Sequence, residues 1–232
     1  MFYPLYVPGT YIAPTTQINH MYVPGTYKGN IGNKMLVQDY NRMMQLIRFF
    51  SLPKPPAKFS LFINRDIRVR QIGFESTVVE ISQTQNSSIR LLSYCLMPTH
   101  FHLLVQQLTP SGLTNLLRKT LDGYSHYFNT KYKRLGPLWT GPFKNVLIED
   151  DEQLLHVTRY IHLNPTTAGL VKKPEDWPYS SYREYITPDE VEHPLTNRAG
   201  IIDMKASEYK AFVNNQKTYQ RELAVIKKQI LE

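Results

Sequence analysis

Two histidines one residue apart, His100 and His102, stand between Pro98-Thr99 and the apolar run Leu103-Leu104-Val105. Side chains alternate across a strand, so both imidazoles project from one face while Phe101 enters the core. Two neutral imidazoles side by side on a rigid strand make part of a divalent-cation site, open to a third ligand and a substrate oxygen. Taken alone, the pair reads more often as two histidines on a solvated sheet face, because His-x-His arises by chance.

A second group of residues calls for a helix. Asp150 is a good N-cap with Gln153 three residues on, and acidic side chains fill the first turn. Leu154, Leu155, Val157 and Ile161 fall at helical spacing and predict the buried stripe. Pro165 predicts the helix end and restricts Asn164 before it. Residues four apart share a helix face, so His156, Tyr160 and Asn164 form an adjacent polar stripe. A tyrosine with metal-competent groups one turn away on each side is an unusual use of such a face. A rim tyrosine and a helix-terminal asparagine are the plainer alternatives.

Further along, the residues resemble a known family. His100-Phe101-His102 is followed by Gly136-Pro137-Leu138-Trp139-Thr140-Gly141-Pro142-Phe143-Lys144. Then come Arg159-Tyr160-Ile161-His162-Leu163-Asn164-Pro165, Ala168-Gly169-Leu170-Val171 and Trp177-Pro178-Tyr179-Ser180-Ser181-Tyr182. In this order, over roughly residues 35 to 186, the chain resembles the HUH single-tyrosine transposases, and more narrowly the REP-associated tyrosine transposases. The resemblance implies an α+β fold: a ferredoxin-like or RRM-like antiparallel sheet with helices packed on one face, plus an N-terminal arm and a C-terminal helix. It places His100 and His102 on the family's metal pair, Tyr160 on its nucleophile, and Asn164 on a further polar metal ligand.

The implied activity is that of a single-stranded DNA endonuclease and strand transferase, a transposase, with Mg²⁺ or Mn²⁺ as cofactor. In-line attack on a phosphodiester builds charge on its non-bridging oxygens, which a divalent ion at His100, His102 and Asn164 would relieve. A phenol has a pKa near 10, so only about one in a thousand is ionised at neutral pH. Metal charge, or a base such as His156 acting through water, must supply the activation. Attack by Tyr160 would leave a covalent 5′-phosphotyrosine and a free 3′-OH, and a second 3′-OH could then reverse the step. No tyrosine occupies 156 or 164, which disfavours a paired-tyrosine initiator.

Composition points the same way. Lys and Arg total 27 against 19 Asp and Glu, a formal charge of +8, and the pI is about 9.4; both favour an anionic partner. Sixteen tyrosines, ten phenylalanines and two tryptophans offer faces for unpaired bases, besides ordinary core duty. The expected partner is single-stranded or hairpin DNA, bound by a monomer or homodimer. Arg118, Lys119, Lys133 and Arg134, with Lys131 among them, and Lys144 beyond, are the candidates for phosphate contacts. A single cysteine, Cys95, excludes an intrachain disulfide and a thiolate metal cluster. No apolar run approaches membrane-spanning length and the N-terminus lacks a signal-peptide layout, so the expectation is a cytoplasmic protein, nucleoid-associated when DNA-bound.

The remaining organisation reads as an extended arm over 1–17, a nuclease domain over 18–186, and a linker with a C-terminal helix over 187–232. Tyr6-Val7-Pro8-Gly9-Thr10-Tyr11 recurs as Tyr22-Val23-Pro24-Gly25-Thr26-Tyr27, too short to define a solenoid. The patterns predict a first strand over 18–23, a helix over 39–50, a strand or hairpin with a polar loop over 57–88, and the histidine strand over 89–106. They predict a helix from Ser111 and a last one from Ala206 through Ile230. Turns around Leu138–Thr140 could present Trp139 for stacking or let it plug the core. Two departures from the family stand out: His20–Gly25 replaces an Asn-Arg-Gly turn, and Pro142 stands where arginine precedes Phe-Lys. The alternative function is a non-catalytic, domesticated protein that binds hairpin or single-stranded nucleic acid with the same fold. A water-using metal hydrolase would need an acidic base beside the histidines. A tyrosine recombinase would need several arginines around its nucleophile.

Overall fold

The computed structural model describes residues 20–26, 35–139 and 145–215, the first stretch as backbone alone. The N-terminal arm, the first copy of the repeat, Pro142, Lys144 and the C-terminal helix beyond 215 lie outside the described residues. Four strands, β1 (His20–Thr26), β2 (Ile89–Leu96), β3 (His100–Gln107) and β4 (Val146–Ile148), form one antiparallel sheet in the order β2-β3-β1-β4. Helix α1 (Val37–Phe50) connects the first two strands and α5 (Gly112–Lys131) the last two. This is the β-α-β-β-α-β order of a ferredoxin-like sheet, as expected.

The histidine strand is not continuous from 89. A tight turn, closed by Met97 N–H donating to the His100 carbonyl at 2.7 Å, splits the stretch into the β2–β3 hairpin. A bulge between Leu91 and Ser93 shifts the register by one residue. Leu91, Tyr94 and Leu96 therefore share one face despite their odd spacing, while Leu92 and Cys95 share the other. On β3 the alternation is regular: Phe101, Leu103 and Val105 enter the first core and Leu104 the second.

Both faces of the sheet are covered. Tyr40, Met43, Leu46 and Ile47 of α1 and Leu113, Leu116, Leu117, Tyr124 and Phe128 of α5 close the first core. The expectation of helices on one face alone needs correction. Helix α6 (Asp151–Thr167) lies on the opposite face, joined there by α7 (Tyr182–Ile186) and α8 (Ala206–Asn214). The linker docks as well, with Asn197 N–H donating to the Leu91 carbonyl at 2.8 Å and Ile201, Ile202 and Met204 buried.

Residues 57–88 are helical, against the expected strand or hairpin. Short helices α2 (Phe59–Arg65), α3 (Ile67–Ile72) and α4 (Phe74–Gln83) gather a third core of Phe62, Phe74, Val78 and Ile81 around Phe49 and Leu52. The β-branched run Thr77-Val78-Val79 mimics a strand, yet Phe74, Thr77, Val78 and Ile81 are buried at helical spacing. Gly73, at φ +86°, lets the chain turn between α3 and α4. Among the described residues no helix is long and apolar enough to cross a membrane.

One buried carboxylate ties α1 to α5. Asp39 is fully buried and accepts from Leu36 N–H (2.8 Å), Lys131 Nζ (2.6 Å), Tyr132 OH (2.6 Å) and Tyr127 OH (2.9 Å). Burial alone would raise its pKa, but the donors from Lys131, Tyr132, Leu36 and Tyr127 outweigh it and hold the carboxyl below its ordinary value. Lys131 therefore spends its charge internally and drops out of the basic set proposed for phosphate. Asp39→Ala would leave these donors without their acceptor, and we expect it to cost about 2–4 kcal/mol. Urea unfolding would show this as a lowered midpoint with unchanged slope.

Candidate active site

The β3 pleat turns His100 and His102 toward the α6 side of the sheet, where His102 is buried and His100 half-buried. Their ring centroids lie 4.8 Å apart at 82°, and Thr99 Oγ1 sits 3.2 Å from His100 Nδ1. The Tyr160 ring on α6 lies 5.6 Å from the His102 ring at 74°. Thus the fold brings together the two imidazoles and the phenol, from segments 58 positions apart between His102 and Tyr160.

Burial disfavours the imidazolium, so it pulls the His102 pKa down to about 3, with the neighbouring His100 adding to the effect. Burial lowers His100 as well. Both rings are therefore neutral near pH 7 and keep a lone pair for a cation. Among the described residues no group of three or more His, Cys, Asp or Glu side chains could hold a metal ion. Asn164 offers an amide oxygen, a ligand of another type. It follows Tyr160 by one turn, is half-buried, and donates through Nδ2 to the Tyr160 carbonyl at 2.8 Å, which leaves Oδ1 as an acceptor. Two neutral imidazoles and an amide oxygen are together a donor set that suits a divalent ion of intermediate hardness.

Helix α6 begins as expected: Asp150 accepts from Gln153 N–H at 2.7 Å, and Gln153 Oε1 accepts from Glu149 N–H at 2.7 Å. Its end differs from expectation. Pro165 lies inside the helix, which runs to Thr167 and closes through Gly169 at φ +68°. Pro165 falls where only the last turn loses a bond, and Leu170 N–H uses the Pro165 carbonyl at 2.9 Å. Asn164 is consequently a helical residue rather than a terminal one.

The residues flanking Tyr160 hold its direction. Arg159 is 1% exposed; its guanidinium lies 5.0 Å over the Phe212 ring and donates to the Asn215 carbonyl. His162 is fully buried, with Nδ1 2.7 Å from Tyr209 OH and Nε2 2.8 Å from Ser181 Oγ. That hydroxyl accepts from Tyr94 N–H at 2.9 Å, so the imidazole pins α6 to β2, to α8 and to the segment before α7. This anchoring role of His162 was not apparent from spacing. His156 faces α8, its ring 6.0 Å from Phe212 and its Nε2 3.6 Å from Glu152 Oε1.

The candidate phosphate contacts stand apart from this cluster. Arg118, exposed, and Lys119, half-buried, ride on α5, across the sheet from the histidines. Lys133 is exposed, while Arg134 donates to Asn129 Oδ1 at 2.9 Å and lies 6.0 Å over Phe128. Trp139 is a core plug: its Nε1 donates to Ser125 Oγ at 2.8 Å and its ring meets Phe101 edge-on at 5.8 Å.

Residues 66–164 match the family model described as an IS200-like transposase, a span that contains His100, His102, Tyr160 and Asn164. The chain is 32% identical over 102 residues to a Haemophilus influenzae protein named for the REP-associated tyrosine transposases, covering 39% of this chain and 57% of that one. It therefore spans little more than half the length of that relative. A solved structure of a REP-associated tyrosine transposase bound to a REP hairpin shares the fold at a TM-score of 0.50 and 14% identity, over 87% of this chain and 94% of that one. The stretch that carries the histidine hairpin and the tyrosine helix is thus similar to the IS200-like and REP-associated tyrosine transposases, and the fold is one that a REP-associated tyrosine transposase also has.

Proposed function

We propose that this protein is a metal-dependent single-stranded DNA endonuclease and strand transferase that acts through a covalent 5′-phosphotyrosine. The observation that carries the reading is the approach of the Tyr160 ring to within 5.6 Å of His102, itself 4.8 Å from His100. His100, His102 and Asn164 would hold Mg²⁺ or Mn²⁺, which when bound supplies Lewis-acid stabilisation of charge on the phosphate.

The chain's own groups do the rest. Arg159 and His162, locked on either side, keep Tyr160 aimed at the histidine face, so attack starts from a fixed approach rather than a rotamer search. Tyr160 Oη loses its proton and bonds to phosphorus, while the bond to the 3′ oxygen breaks and that oxygen leaves as a hydroxyl. Because Tyr160 is half-buried, solvent reaches the site to carry the proton away. The phosphoester bond is exchanged rather than hydrolysed, so a second 3′-OH can reverse the step and join new ends. The proposed substrate is single-stranded or hairpin DNA, in keeping with the REP hairpin in the similar solved structure and the formal charge of +8.

The test is incubation with 3′-labelled hairpin DNA and either metal, followed by denaturing electrophoresis. Label is expected to migrate with the protein, to vanish with a chelator and to return when metal is restored. DNA binding without any adduct in either metal would instead establish the non-catalytic reading.

A further inference from the structure

Across the sheet from the candidate active site, α1, α2 and α5 enclose a groove of about 440 Å³. Its floor is Leu46, Phe50 and Gly123, and its aromatic walls are Phe59 from α2 and Tyr127 from α5. A Cβ on Gly123 would stand 3.1 Å from Leu46 Cδ2, so the helix backbone comes close to α1 there. Glycine in the middle of a 20-residue helix costs about 1 kcal/mol against alanine, and here it keeps the floor low.

The Arg42 guanidinium stands between the two walls, 5.1 Å from the Phe59 ring centroid and 5.1 Å from that of Tyr127. Among the described residues no carboxylate lies within ion-pair distance of Arg42, and none lines the groove. Burial lowers its pKa, yet an arginine stays charged at any relevant pH. Helical spacing puts Lys119 one turn before Gly123 on the same face of α5, with Arg118 beside it. Aromatic walls, an unneutralised planar cation and a basic approach, at a size within the range of small-molecule sites, are what a nucleobase with its phosphate requires.

We propose that this groove binds one unpaired nucleotide of single-stranded DNA, the base stacking on the aromatic walls and its phosphate meeting Arg42. The site rests on the DNA-processing reading above but is separate from its chemistry, since the sheet lies between the groove and Tyr160. A nucleotide held here anchors DNA outside the scissile segment. One wall comes from α2, in the helical stretch between α1 and β2, so the groove depends on that stretch being folded.

The test measures binding of the full chain to two labelled hairpins, one with a loop of unpaired thymines and one fully paired to a minimal loop. Arg42→Gln, and Thr130→Trp at the exposed rim, are expected to weaken the unpaired-loop DNA about tenfold, the scale of one lost base–aromatic stack. Neither should change the adduct rate at saturating DNA. With 5-iodouracil in the loop, light-induced cross-links to the unaltered protein should map to Phe59 or Tyr127, an outcome that does not depend on any variant folding. Unchanged affinity in both variants, or cross-links confined to other surfaces, would overturn the site while leaving the proposed catalysis standing. A protein that binds no DNA at all would remove both.

Discussion

Tyr160→Phe should abolish the covalent DNA adduct, lowering strand cleavage by at least about a thousandfold. The change removes one oxygen and keeps the ring that packs 5.6 Å from His102. The helix, its Asp150 cap and its anchors at Arg159 and His162 are untouched, so stability should move by no more than about 1 kcal/mol. DNA affinity should survive, because a phenol oxygen adds little to a contact dominated by phosphate charge. No substitute stands one turn away on either side: position 156 is histidine and 164 is asparagine. Loss of adduct with retained binding and an unchanged melting curve is the expected set. A variant that still nicks DNA at a comparable rate would mean that water, not Tyr160, is the nucleophile.

What made the site legible was that its parts are local patterns. His100 and His102 announce themselves by alternation on one strand, and Tyr160 with Asn164 by a four-residue step on one helix. Bringing the two patterns together needed the family resemblance, since nothing in either segment states that β3 and α6 share a face. The groups that hold the site were less visible because their partners are scattered. His162 takes its bonds from Ser181 and Tyr209, and Ser181 in turn from Tyr94. Lys131 reads as a phosphate contact beside its basic neighbours, because its Asp39 partner stands 92 residues away. Among the elements, α4 was obscured by its β-branched run, and β4 is too short at three residues for any periodicity to register. Pro165 misled in the other direction, because proline in the final helical turn removes a bond without ending the helix.

His162 also makes acid the condition under which this fold should fail. Burial, aided by the nearby Arg198 charge, pulls its pKa down to about 3. In the unfolded chain the same imidazole titrates near 6.5. Between these values the unfolded state takes up a proton that the folded state refuses, so acidification favours unfolding. The contribution is fully present above about pH 6.5 and is lost as pH falls toward 3, at about 1.4 kcal/mol per pH unit. His102, also drawn down to about 3 by burial and by His100, acts in the same direction over the same window. For two such histidines, two units of acidification remove about 5 kcal/mol, comparable with the whole stability of many domains. Urea midpoints measured from pH 7 to pH 4.5 should therefore fall steeply. His162→Gln should cost about 1–3 kcal/mol at neutral pH, because its amide cannot meet both Tyr209 and Ser181 as the ring does. It should at the same time remove about half of the acid slope. A slope identical in the variant and the parent would show that His162 titrates freely in the folded protein, and that the tether holding the Tyr160 helix against the sheet is open to solvent.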